Sequence, residues 1–217
     1  IFNGEIYNYN ELRDDLIKKG YQFKTKTDSE TILLGYQEWG EEVLKMLRGM
    51  FAFAIWDNKK KIVILARDRM GIKPLYYYKN SNKFIFSSEI KSISKILGDE
   101  NKINEEAIYH YLTLAISPTP MTMFLDVYKL EPGFCMSVSF DGQIKKYKYW
   151  DPIKKINKFK EKDEKVIIKK LRSKIRESIK LRMMSDVPIG VFLSGGLDSS
   201  LNVALMSQMI DHPVNTF

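Results

Sequence analysis

A single cysteine, Cys135, among 217 residues excludes a disulfide framework and any thiolate zinc centre, and suits a reducing compartment. Histidine is nearly as scarce, with two: neither His110 nor His212 has a second ligand at metal-binding spacing. Long hydrophobic runs are missing too. The longest, residues 50–56, has seven residues, against the roughly 20 needed to cross a bilayer. No signal-peptide pattern opens the chain. These absences point to a cytoplasmic protein with no membrane partner.

What is present can fill a core. With 44% hydrophobic and 29% charged residues, disordered, collagen-like and low-complexity classes are excluded. Lys and Arg number 35 against 27 Asp and Glu, a net charge of +8. The lysines are scattered, however, and the aromatics lie in apolar runs rather than between base-reading polar groups. The charge therefore reads as a solvated basic surface, and no nucleic-acid partner is expected.

The hydropathy pattern predicts two domains. Asn10 reads as the cap of a first helix that Gly20 stops, followed by a strand over 21–24 and a helix over 30–39 started by Asp28 or Ser29. Apolar runs 50–57 and 61–68 form a hairpin, as do 75–79 with 83–87, and 134–140 with 143–150 across Asp141-Gly142. Residues 89–97 and 105–112 read as helices. Residues 51–56 are apolar on both faces, so that strand should be covered twice. A four-layer helix–sheet–sheet–helix sandwich, an α+β fold, satisfies this over 1–152. A lysine-rich connector (154–165), a long helix (163–184), a strand (188–193), a glycine turn, a helix (198–210) and a further strand start then open a parallel α/β domain over 153–217. Both ends read as cut, so the isolated 217 residues are expected to form no product.

Two constellations carry chemistry. Ser194-Gly195-Gly196-Leu197-Asp198-Ser199-Ser200 lies between an apolar strand and a helix. Its glycines let the backbone approach a ligand, and the helix start offers unpaired N–H groups and the positive end of a dipole, which suits phosphate. It lacks the lysine of a P-loop. A carboxylate such as Asp198 beside phosphate is repelled unless a cation lies between them, and Mg²⁺ is the natural choice. At the other end, Asn3-Gly4 places a side-chain amide beside a backbone N–H, a candidate oxyanion hole. Glu5 and Asp28 are carboxylates able to pair with a ligand ammonium, although Asp28 also fits a plain helix cap. Arg67, Asp68 and Arg69 read as a structural ion-pair brace, Cys135 as a structural thiol, and Met183-Met184 as core filler.

The strings N-G-E-I-Y-N (3–8), G-M-F-A-F-A-I-W-D (49–57), A-R-D-R-M-G-I-K-P-L-Y-Y (66–77), S-S-E-I-K (87–91), L-E-P-G (130–133), S-D-V-P-I-G (185–190) and the glycine turn together resemble glutamine-hydrolysing asparagine synthetases, in the same order. The resemblance implies an N-terminal-nucleophile glutaminase domain followed by the start of an ATP-pyrophosphatase domain. It implies Asn3 and Gly4 as the oxyanion hole and Glu5 and Asp28 as ligands of the glutamine amino group. It also implies Ser194 to Ser200 as the pyrophosphate loop, with Leu193 lining the adenine pocket. The family's nucleophilic cysteine and carboxylate-binding arginine would precede Ile1. Implied small molecules are glutamine, aspartate and ATP with Mg²⁺, joined through a β-aspartyl-AMP intermediate and an ammonia tunnel, and a homodimer is compatible. Three alternatives stay open: a β-lactam synthetase-like ligase, a tRNA-modifying ATP pyrophosphatase, and a non-catalytic interaction or storage protein.

Overall fold

In the computed structural model, residues 1–155, 161–185 and 187–217 are described. The chain divides into two compact units, Ile1–Lys155 and Ile156–Phe217. Residues 156–160 of the expected connector, and Asp186, lie outside the described residues.

The first unit begins with β1 (Phe2–Ile6), α1 (Tyr9–Lys18), α2 (Asp28–Trp39) and the short α3 (Val43–Met46). It continues through β2 (Gly49–Asp57), β3 (Ile62–Arg67), β4 (Tyr76–Lys79), β5 (Phe84–Ser87), α4 (Ile90–Leu97) and α5 (Glu105–Leu114). It closes with β6 (Val127–Lys129), β7 (Phe134–Ser139) and β8 (Ile144–Lys148). Antiparallel pairing builds a five-stranded sheet in the order β1-β2-β3-β7-β8 and a three-stranded sheet in the order β5-β4-β6.

The doubly apolar β2 explains the layering. Phe51, Phe53 and Ile55 point to one side, where they pack with Leu12, Ile32, Val43 and Leu44 of the first three helices. Ala52 points to the other side, against Tyr77 of the second sheet and Leu75, which precedes it. The outer face of that sheet presents Tyr78 and Val127 to Ile93 and Leu97 of α4. The result is the expected α+β sandwich with helices on both outer faces. Each large side chain so buried contributes about 1.5–3 kcal/mol.

Local chemistry overrides some sequence expectations. Residues 21–24 are not a strand, because their amides are spent nearby: Tyr21 N–H on the Leu16 carbonyl and Lys24 N–H on Glu30 Oε1 at 2.8 Å. The first helix starts at Tyr9, with Asn8 rather than Asn10 in the cap position. Asn8 does not cap with its side chain, which instead spans Met46 O and Arg48 N–H. The second helix is capped by Thr27, whose hydroxyl accepts from Glu30 N–H; Asp28 is therefore not its N-cap. Strand β6 escaped prediction because three residues carry too little periodicity.

The second unit holds α6 (Glu164–Arg182), β9 (Gly190–Val191), α7 (Leu197–Met206) and β10 (Asn215–Thr216). Strands β9 and β10 pair in parallel, a connection that requires a crossover, here α7. The strand expected over 188–193 is thus only two residues long, since its partner among the described residues is equally short. Ile175 and Ile179 of α6, with Met183 just past its end, pack with Val191, Leu205 and Met206, whereas Leu171 of the same helix is exposed. Among the described residues, no helix is long and apolar enough to cross a membrane.

Candidate functional site

Asn3, Gly4 and Glu5 lie in β1, opposite Ala52, Phe51 and Met50 of β2. β1 is the outermost strand of its sheet, so among the described residues one side of its backbone has no strand neighbour. Phe51 turns both its N–H and its C=O toward Asp68, on the β3 side. Its partner Gly4 is consequently a non-hydrogen-bonded position of the β1–β2 ladder, and strand alternation directs the Gly4 N–H out of the free edge. The Ile6 N–H, two residues on, faces the same way and donates to Asp28 Oδ2 at 3.0 Å. This bond brings Asp28, in the first turn of α2, beside the strand that carries Asn3, Gly4 and Glu5.

Gly4 is required here by space as well as by conformation. Its φ is +151°, and a Cβ at this position would lie 2.1 Å from the Met50 carbonyl oxygen. No side chain fits between the two strands at that point. The Asn3 side chain is also held, its Nδ2 donating to Ser88 Oγ at 3.2 Å.

Behind this edge, Asp68 and Arg67 secure the end of the sheet. The Asp68 carboxylate, 1% exposed, accepts from the N–H groups of Phe51, Met70, Ile72 and Lys73. The Arg67 guanidinium donates to the carbonyls of Lys73, Leu130 and Gly71. The brace expected at these residues is present but works through backbone groups. Hydrogen bonds to charged groups contribute about 1.5–3 kcal/mol each, more than an exposed ion pair does. Cys135 is fully buried, and burial, followed by the nearby Glu41 carboxylate, pushes its thiol up to about 12. A thiol so raised and buried holds very little thiolate at neutral pH, which fits a structural rather than a nucleophilic role.

In the second unit, the turn of Ser194, Gly195 and Gly196 leads directly into α7. Gly195 has φ +78° and open space where a Cβ would stand. Ser194 Oγ and Ser199 Oγ are 3.1 Å apart, and Ser199 also donates to the Gly196 carbonyl. Among the described residues, no backbone acceptor takes the N–H groups of residues 194–199, while Ser200 N–H closes the first helical bond to Gly196. Leu193 N–H is used by Phe217 O. Asp198 lies in the first turn of α7, and among the described residues no cluster of three or more His, Cys, Asp or Glu could hold a metal by itself.

Sequence reasoning singles out candidates on β1 and α7 but gives no hint of the Asn3–Ser88 bond or of the backbone role of Asp68. Ser88 had one signal, its place in the S-S-E-I-K string, which reads as an ordinary helix start.

The glutamine amidotransferase domain model matches residues 1–150, and the asparagine synthase model matches residues 170–217. The chain is 42% identical over 215 residues to asparagine synthetase [glutamine-hydrolyzing] 1 of Bacillus subtilis, covering 98% of this chain and 33% of that protein. It is 40% identical over 216 residues to a putative asparagine synthetase [glutamine-hydrolyzing] 2 of Methanocaldococcus jannaschii, covering 97% and 40%. It also aligns with glutamine phosphoribosylpyrophosphate amidotransferase from B. subtilis at 16% identity and a TM-score of 0.49, covering 100% of this chain and 44% of that structure. The chain spans between a third and two fifths of the length of the two synthetase relatives.

Proposed function

We infer, for a chain that belongs to the glutamine amidotransferase domain family, that it forms part of a glutamine-hydrolysing asparagine synthetase using glutamine, aspartate and ATP with Mg²⁺. The observation that carries this reading is the presence, in one polypeptide, of an Asn-Gly pair on a free sheet edge and a glycine turn at a helix start. An ammonia-transferring ligase needs both: one site that frees ammonia and one that activates a carboxylate.

Residues 1–152 are read as an N-terminal-nucleophile type amidotransferase. A thiolate attacks the glutamine amide carbon, and Asn3 Nδ2 and Gly4 N–H donate to the oxyanion that forms. Glu5 and Asp28 receive the glutamine ammonium. Cys135 is not that thiolate, and the 217 residues contain no other cysteine. Residues 153–217 are read as the opening of an ATP-pyrophosphatase domain. There the amides and hydroxyls of residues 194–200 hold the pyrophosphate portion of ATP, and Leu193 borders the adenine.

The donor set fits Mg²⁺, which takes one or two carboxylates and completes its shell with phosphate oxygens and water. Asp198 would be that carboxylate, and the ion would neutralise charge on the departing pyrophosphate. A carboxylate resists amines until it carries a good leaving group. Adenylation of the aspartate side chain, giving β-aspartyl-AMP and pyrophosphate, supplies one, and ammonia then displaces AMP.

Labelled pyrophosphate should exchange into ATP in the complete protein only when aspartate is present. Exchange that ignores aspartate, or proceeds equally with glutamate, would contradict this assignment.

A further inference from the structure

We propose that Ser88 is a positioning residue that aims the Asn3 amide, a role that rests on the glutaminase reading above. The two residues are 85 positions apart in the chain, yet Asn3 Nδ2 donates to Ser88 Oγ at 3.2 Å in a half-buried setting. An asparagine amide carries two N–H bonds in one plane with its carbonyl. Once one N–H is committed to Ser88, the direction of the second is fixed, and that second N–H is the donor available to an oxyanion.

The two donors of the Asn-Gly pair differ in what holds them. The direction of the Gly4 N–H follows from the strand pairing of β1 with β2. The Asn3 donor sits at the end of a side chain whose terminal torsion has a broad, roughly two-fold preference. Turned over, the amide would present its Oδ1 acceptor to the developing negative charge. The side-chain donor therefore needs an anchor that the strand cannot supply.

Ser88 is built to be that anchor. Ser87 before it ends β5 and pairs with Tyr76, and its Oγ accepts from the Glu89 N–H at 3.1 Å. Helix α4 starts at Ile90 and is locked by the fully buried Ile93. Ser88 thus hangs from the second sheet and Asn3 from the first. Their hydrogen bond ties the two layers together where β1, among the described residues, has no strand on its outer side.

The test is steady-state glutamine hydrolysis by the complete protein. Ser88→Ala should lower kcat about tenfold and leave KM for glutamine within about twofold, because the donor is misaimed rather than substrate binding lost. Ser88→Thr, which keeps the hydroxyl, should restore kcat to within about threefold of the parent. Asn3→Ala should cost about 10²–10³-fold, as removal of an oxyanion donor does. The double variant should be no slower than Asn3→Ala alone, since Ser88 acts only through that amide. A parental kcat for Ser88→Ala, a loss that Ser88→Thr does not repair, or additive losses in the double variant would overturn the positioning role. A parental rate for Asn3→Ala would overturn the glutaminase reading itself.

Discussion

In the complete protein, Asp198→Ala is expected to lower asparagine formation by about 10²-fold or more while leaving glutamine hydrolysis largely intact. The reasoning starts from charge. Asp198 stands in the first turn of α7, beside N–H groups that have no backbone acceptor among the described residues. A helix start of this kind attracts phosphate, whereas a carboxylate placed there repels it. On the proposed reading a cation lies between them, so removing the carboxylate would remove the cation's protein ligand. The glycine turn itself would survive, because it is held by Ser199 and by the Ser200 N–H to Gly196 bond rather than by Asp198. Rates of both reactions, measured on one preparation, check the result. Equal loss of the two would point to misfolding.

Gly4→Ala should have the opposite signature, with hydrolysis lost and synthesis from free ammonia retained. The added Cβ would lie 2.1 Å from the Met50 carbonyl oxygen and 2.7 Å from the Phe51 Cα, both of them backbone atoms that no rotamer change can move. Relief requires β1 to draw away from β2, and β1 carries both of the proposed oxyanion donors, Asn3 and Gly4. A displacement of about 1 Å at a reacting centre costs on the order of 10²-fold. The backbone conformation adds about 1–3 kcal/mol of strain, which should also lower the melting temperature. Hydrolysis at the parental rate would show that the two strands do not approach as closely as described.

Much of this architecture was legible in the amino-acid order. The run of apolar residues through 51–56 announced a strand covered on both faces, and both faces are covered, by α1–α3 on one side and the second sheet on the other. Asp141-Gly142 announced its hairpin, and Gly142 takes the φ of +82° that few side chains tolerate. What stayed hidden depends on contacts distant in sequence or on side chains that serve the backbone. The segment 21–24 has strand-like composition, yet Glu30 takes the amide of Lys24. Thr27 was overlooked as a cap in favour of the carboxylate beside it, and that carboxylate turns out to hold the Ile6 N–H instead. Asp68 looked like half of an ion pair because its neighbours are arginines, but only the fold reveals four amides converging on it. Ser88 could not be linked to Asn3 by any local rule, since the sheets that carry them meet only after folding.

The most direct test is isotopic. The complete protein, given glutamine labelled with ¹⁵N in its side-chain amide together with aspartate and Mg-ATP, should release asparagine labelled in its side-chain amide, with AMP and pyrophosphate formed in equal amounts. Unlabelled asparagine, or glutamate released with no amide product at all, would contradict the union of a glutamine-splitting site and a carboxylate-activating site in this polypeptide.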